Sequence, residues 1–192
     1  MTATVAVFVE TGLNATPVPQ DTTGLGPPNI RFKTADDSLI DANNPIPIPA
    51  GADNRSFWKH IFLQAISPGT FLQIDNVQFY TDGTGFGTGI SVQIGNETPT
   101  KNSGSTAGYD QATGTVGTTG NELTTHANVS GKVSAFGFTS GSPKAVSISE
   151  AGAIIDAIGE TTNYIVCQMD VANTASPGDL ADETWTFQYD EI

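Results

Sequence analysis

Residues 57–66 constrain the fold of this chain more than any other segment. In a period-two reading, Phe57, Ile61, Leu63 and Ala65 fall on one face, and Trp58, Phe62 and Ile66 on the other. A strand apolar on both faces belongs in the interior of a sheet that is covered on both sides. The flanking sequence supplies neighbours for it. Val5, Val7 and Val9 alternate with Ala6 and Phe8, Ile30 and Phe32 mark a short second strand, and 71–80 and the Ile90/Val92/Ile94 run follow. Residues 132–138, 145–149, 163–171 and 183–190 are also strand-like, and only 150–158 suggests a helix, a short one closed by Gly159. Strands separated by Gly/Pro turns, without a long amphipathic helix, predict an all-β chain. The expected form is an antiparallel β-sandwich, a jelly roll of about eight strands, built as one domain over residues 1–192.

The connections are as informative as the strands. Residues 12–29 contain Pro17, Pro19, Pro27 and Pro28 and should cross the surface as an extended segment. Pro45, Pro47 and Pro49 remove alternate backbone donors, so that stretch is expected to be polyproline-like or a sheet rim. Residues 95–131 are mostly Gly, Thr, Ser and Asn between clear strands, and a connection of this length inside a compact domain is functional or disordered. Its chemistry-bearing side chains, Lys101, Tyr109, Asp110, Glu122 and His126, are widely scattered. The segment therefore reads as an extended loop or arm that makes contacts. Deleting 103–120 is expected to leave the domain folded while weakening attachment. Together with 12–29 it supplies the expected protein-contact residues: Pro17, Pro19, Pro27, Pro28, Tyr109, Thr115, Val116 and Leu123.

Charge narrows the partners. Twenty acidic residues against seven Lys plus Arg give a formal net charge of −13, so phosphate backbones and anionic lipid repel the chain. Nucleic acid and membrane are not expected partners; protein is. The single cysteine, Cys167, sits in an apolar run and reads as a buried hydrophobe. The start Met1-Thr2-Ala3-Thr4 has no basic n-region, which predicts synthesis in a cytoplasm without signal-directed export.

Candidate chemistry is sparse. Gly83, Gly85, Gly87 and Gly89 invite comparison with a phosphate loop, but they lead into a strand instead of a helix N-terminus. Asp36, Asp37 and Asp41, with Asn43 and Asn44, offer hard oxygens that could hold Ca²⁺. Their spacing does not match an EF-hand, and a solvated turn is the expected role. His60 and His126 are the only histidines, and no nucleophile elbow or Cys-His arrangement is present. Trp58 and Trp185 alternate with apolar neighbours, which favours a core role over a sugar platform. No catalytic, cofactor or metal residues are assigned, and a non-enzymatic protein is expected.

Four strings carry a resemblance: Asn29-Ile30-Arg31-Phe32, Phe57-Trp58-Lys59-His60, Asn76-Val77-Gln78-Phe79-Tyr80-Thr81-Asp82-Gly83, and the C-terminal run Glu183-Thr184-Trp185-Thr186-Phe187-Gln188-Tyr189-Asp190-Glu191. In style and order of elements the chain resembles small virion structural proteins of tailed bacteriophages, most of all capsid decoration or cement proteins. That resemblance implies a homo-oligomer, a trimer favoured, bound to the major capsid protein on the outer surface of the shell, where it bridges and stabilises coat subunits. The alternative is a tail, baseplate or head-fibre component with a glycan- or receptor-binding role.

Overall fold

The computed structural model describes residues 3–22, 30–67, 73–98 and 101–192; Pro27 and Pro28 lie outside them. The chain is all-β, with antiparallel pairing throughout the described ladders. Its strands are β1 (Thr4–Thr11), β2 (Val18–Asp21), β3 (Asn54–Arg55), β4 (Lys59–Ser67), β5 (Ile74–Thr81), β6 (Ile90–Glu97), β7 (Gly114–Thr115), β8 (Thr119–Gly120), β9 (Val129–Ser134), β10 (Lys144–Ala145), β11 (Ile165–Val171) and β12 (Trp185–Glu191).

The larger sheet runs β2-β1-β4-β11-β6-β9, with β3 added to β11; the smaller runs β10-β5-β12, and β7 and β8 form a separate ribbon. As its two apolar faces require, β4 is interior, paired with β1 on one side and β11 on the other. Val9, Ile61, Leu63, Ala65, Val92, Ile94, Ile165 and Met169 from the larger sheet meet Ile74, Val77 and Phe79 from the smaller in one core. Phe79 lies at its centre, edge-on to Trp185 and Phe187.

Several local expectations change. Residues 30–32 form no strand, and 45–49, expected to be polyproline-like or a sheet rim, lies outside the strands. The expected helix at 150–158 is a single 3₁₀ turn, Ala151–Ala153, in which Gly152 has a φ of 75° that no helix continues through. Phe57 lies before β4 and packs with Trp58 and Phe62 instead of with Ile61.

The other face of the larger sheet is covered by a different part of the chain. Phe8 and Glu10 of β1, His60 and Phe62 of β4, and Val166 and Gln168 of β11 alternate with the core residues, so they point away from the smaller sheet. Residues 101–128 cover them. Tyr109, Ala112 and Leu123 from this segment join Phe57, Trp58, Phe62, Tyr164 and Val166 in a second apolar cluster. The extended arm expected from composition is therefore a roof folded back on the sheet.

Candidate contact face

Gln168 fastens the roof. Its side chain is fully buried; Oε1 accepts from the Leu123 amide at 2.7 Å, and Nε2 donates to Asn121 O at 2.6 Å and Ser56 O at 2.7 Å. One amide thus satisfies backbone groups of the roof and of the segment before β4, which would otherwise be buried unpaired. Close beside it, Gly120 lies against the same segment: a Cβ there would come within 2.3 Å of Ser56 O. Only glycine permits that approach.

Under the roof lies a buried polar layer. Tyr164 donates its hydroxyl to Glu10, and the Lys101 ammonium stands 3.5 Å from the same carboxylate and 4.4 Å over the Phe62 ring. Burial lowers the Lys101 pKa, and Glu10 opposes that shift. Burial also pushes the Tyr164 and Tyr109 hydroxyls far above the usual phenol value, so both remain neutral donors. The Tyr109 hydroxyl donates a hydrogen bond to Gly12 O at 2.7 Å, which ties the roof to the β1–β2 connection. His60 and His126 face one another at 2.7 Å through their Nε2 atoms.

The acidic turn does not stay solvated around an open centre. Asp37 and Asp41 close on the Lys33 ammonium at 2.6 and 3.0 Å, and Lys33 is 1 % exposed. The chain's own cation thus occupies the middle of the carboxylate group nominated for Ca²⁺. Asp36 points elsewhere and accepts from the Gly12 amide at 3.2 Å; burial raises its pKa. Among the described residues no group of three or more His, Cys, Asp or Glu side chains is placed to hold a metal ion. A second buried lysine, Lys59, donates to Asp37 O at 2.5 Å and Ala35 O at 3.4 Å, and desolvation brings its pKa down to about 8.

These bonds draw three segments to one end of the larger sheet. Asn14 Oδ1 accepts from the Gln111 amide at 2.5 Å, and Asn14 Nδ2 donates to Asp110. The Ser38 hydroxyl donates to Gln20, and the Gly117 amide donates to Thr34 O at 3.3 Å. The β1–β2 tip, the 34–44 turn and the β7–β8 ribbon are thereby locked together. On them stand four exposed aliphatic side chains: Leu13 (62 %), Val18 (62 %), Leu39 (59 %) and Val116 (65 %). Residues 12–22, 33–44 and 110–121 contain Asp21, Asp36, Asp37, Asp41 and Asp110 but a single basic residue, the buried Lys33.

Of the contact residues nominated from sequence, Pro19, Thr115 and Val116 are exposed and Pro17 half-buried on this end. Tyr109 and Leu123 are not available to a partner: they are 8 % and 0 % exposed, because the roof turns them onto the sheet. Leu13, Val18 and Leu39 were missed. Leu13 and Val18 lie in a proline-containing connection and carry no periodic signal, whereas the Leu39-Ile40 pair set among polar residues could have drawn attention. Comparison with protein-family models, with curated proteins and with solved structures finds no match to the chain.

Proposed function

We propose that this chain is a non-enzymatic virion structural protein that binds the outer surface of a bacteriophage capsid and bridges coat-protein subunits. The observation that carries the reading is the end face. The described parts of the two segments expected to make contacts, 12–29 and 95–131, are hydrogen-bonded to one another, and Leu13, Val18 and Val116 stand exposed on them. Exposed apolar side chains gathered on one surface favour protein association over scattered solvation. A preorganised face also spares the ordering entropy that a loose arm would lose on binding. With this reading goes the finer description of the fold as a jelly-roll sandwich, supported by a chain that passes back and forth between two antiparallel sheets over a common core. The partner is the major capsid protein, and the assembled form is a homo-oligomer, a trimer favoured.

Co-sedimentation with emptied heads tests the function. The wild-type chain should pellet with heads and raise their resistance to heat, and the Leu13→Asp/Val116→Asp variant should remain folded and stay in the supernatant. Retention on immobilised glycan, without any effect on heads, would instead assign the chain to a tail or fibre role.

A further inference from the structure

The two histidines of the chain are 66 residues apart, one on β4 and one on the roof, yet their rings meet inside the protein at 3 % exposure or less. Their protonation can be read from geometry. His126 Nδ1 accepts the Asn128 amide at 3.0 Å, so it carries no proton; the proton of His126 is on Nε2. His126 Nε2–H therefore donates to His60 Nε2, and His60 carries its own proton on Nδ1. This arrangement exists only while both rings are neutral. A proton added to His126 Nδ1 removes the Asn128 bond, and one added to His60 Nε2 sets two N–H donors against each other.

We propose that the His60–His126 contact is an acid-sensitive latch on the 101–128 roof, closed at neutral pH and released in mild acid together with the contact face that the roof helps to build. This regulation deepens the structural role proposed above and rests on it only for the consequence for attachment. Among the described residues around the pair, each nearby carboxylate is already engaged elsewhere. From β1, Glu10 is already engaged by Tyr164 and Lys101. From β4, Lys59 adds positive charge beside His60. From the roof, Asp110 favours a charged His126 but is held by the Ala127 amide and Asn14, and Tyr109 packs neutral on His60. Burial dominates: it holds His60 well below the ordinary histidine value and His126 at about 4.

The sign follows from linkage. A histidine neutral under the closed roof and protonated once exposed binds more protons in the open state, so stability of the closed state is complete above about pH 6.5 and falls as pH drops toward 4. At pH 5, one such group favours opening by about twentyfold relative to neutral pH.

Hydrogen exchange of the isolated protein, corrected for intrinsic rates, reads this directly. Between pH 7 and pH 5, protection of roof peptides from 101–128 should fall by roughly ten- to thirtyfold, while β5 and β12 peptides stay protected. In the His60→Gln/His126→Gln variant the pH dependence should disappear, whatever the protection at pH 7. Wild-type ¹⁵N imidazole shifts, which need no variant, should place the His126 proton on Nε2 at pH 7. Roof protection unchanged down to pH 5, a pH response that persists in the double variant, or a protonated His126 Nδ1 at neutral pH would each overturn the latch. Because exchange is measured without heads, a working latch in a protein that ignores heads would refute only the capsid role.

Discussion

Some buried side chains in this protein satisfy several backbone groups at once, and that makes their removal costly. Gln168 serves three backbone partners, so Gln168→Leu leaves the Leu123 amide and two carbonyls without partners; a loss of about 2–4 kcal/mol in urea unfolding is expected. Gly120→Ala should cost a similar ~2–4 kcal/mol, because the new methyl meets the Ser56 backbone and not a side chain that could swing aside. Lys59 gives a pH signature of its own. Folded, it loses its proton near pH 8; unfolded, it keeps it to its ordinary 10.5, so between those values the unfolded chain binds more protons and stability from this group rises with pH. The Tm difference between wild type and Lys59→Met should accordingly shift in favour of wild type between pH 8 and pH 10. An absent or reversed shift would mean that the ammonium stays charged under the Asp36–Asp37 turn.

Among elements, the roof overturns the most direct expectation from composition. A Gly/Thr/Ser-rich stretch suggested a removable arm, but 101–128 covers Phe57, Trp58, Phe62 and Tyr164. Deleting 103–120 would expose that apolar face of β4 and β11. The expected outcome is a lower Tm and binding of a hydrophobic dye, not the intact domain that the sequence suggests. The reason the roof escaped notice is physical. Its anchors are single residues, Tyr109, Ala112 and Leu123, spaced without period because they sit on irregular backbone and a 3₁₀ segment; sequence patterns register only regular repeats. By contrast β1, β4, β6 and β11 were legible, since a pleated strand with one or both faces buried must alternate or run apolar. The short β3, β7 and β8 were not, as two residues cannot show a period.

For the molecule as a whole, the −13 charge and the locked end face act together. The face carries carboxylates without an exposed cation, so a partner that fits it presents an apolar centre with Lys or Arg around it. In the proposed role, attachment to heads should weaken as salt is raised from 50 to 500 mM, through slower association more than faster release. Salt-independent binding would point to the aliphatic residues alone.

The alternation of residues along the chain was enough to specify an all-β protein with β4 inside a sheet covered on both faces, because burial of a strand imposes its period locally. Composition was enough to give the net charge of −13. Neither contained the meeting of His60 with His126, the capture of Lys33 by Asp37 and Asp41 in place of a metal, or the fusion of 12–22, 34–44 and 110–121 into one face. The histidine contact and the joined face bring together groups tens of residues apart, and the Lys33 capture needs the 34–44 turn closed on a buried ammonium. All three depend on how the sheets and the roof pack in space, and no local pattern in the chain encodes that.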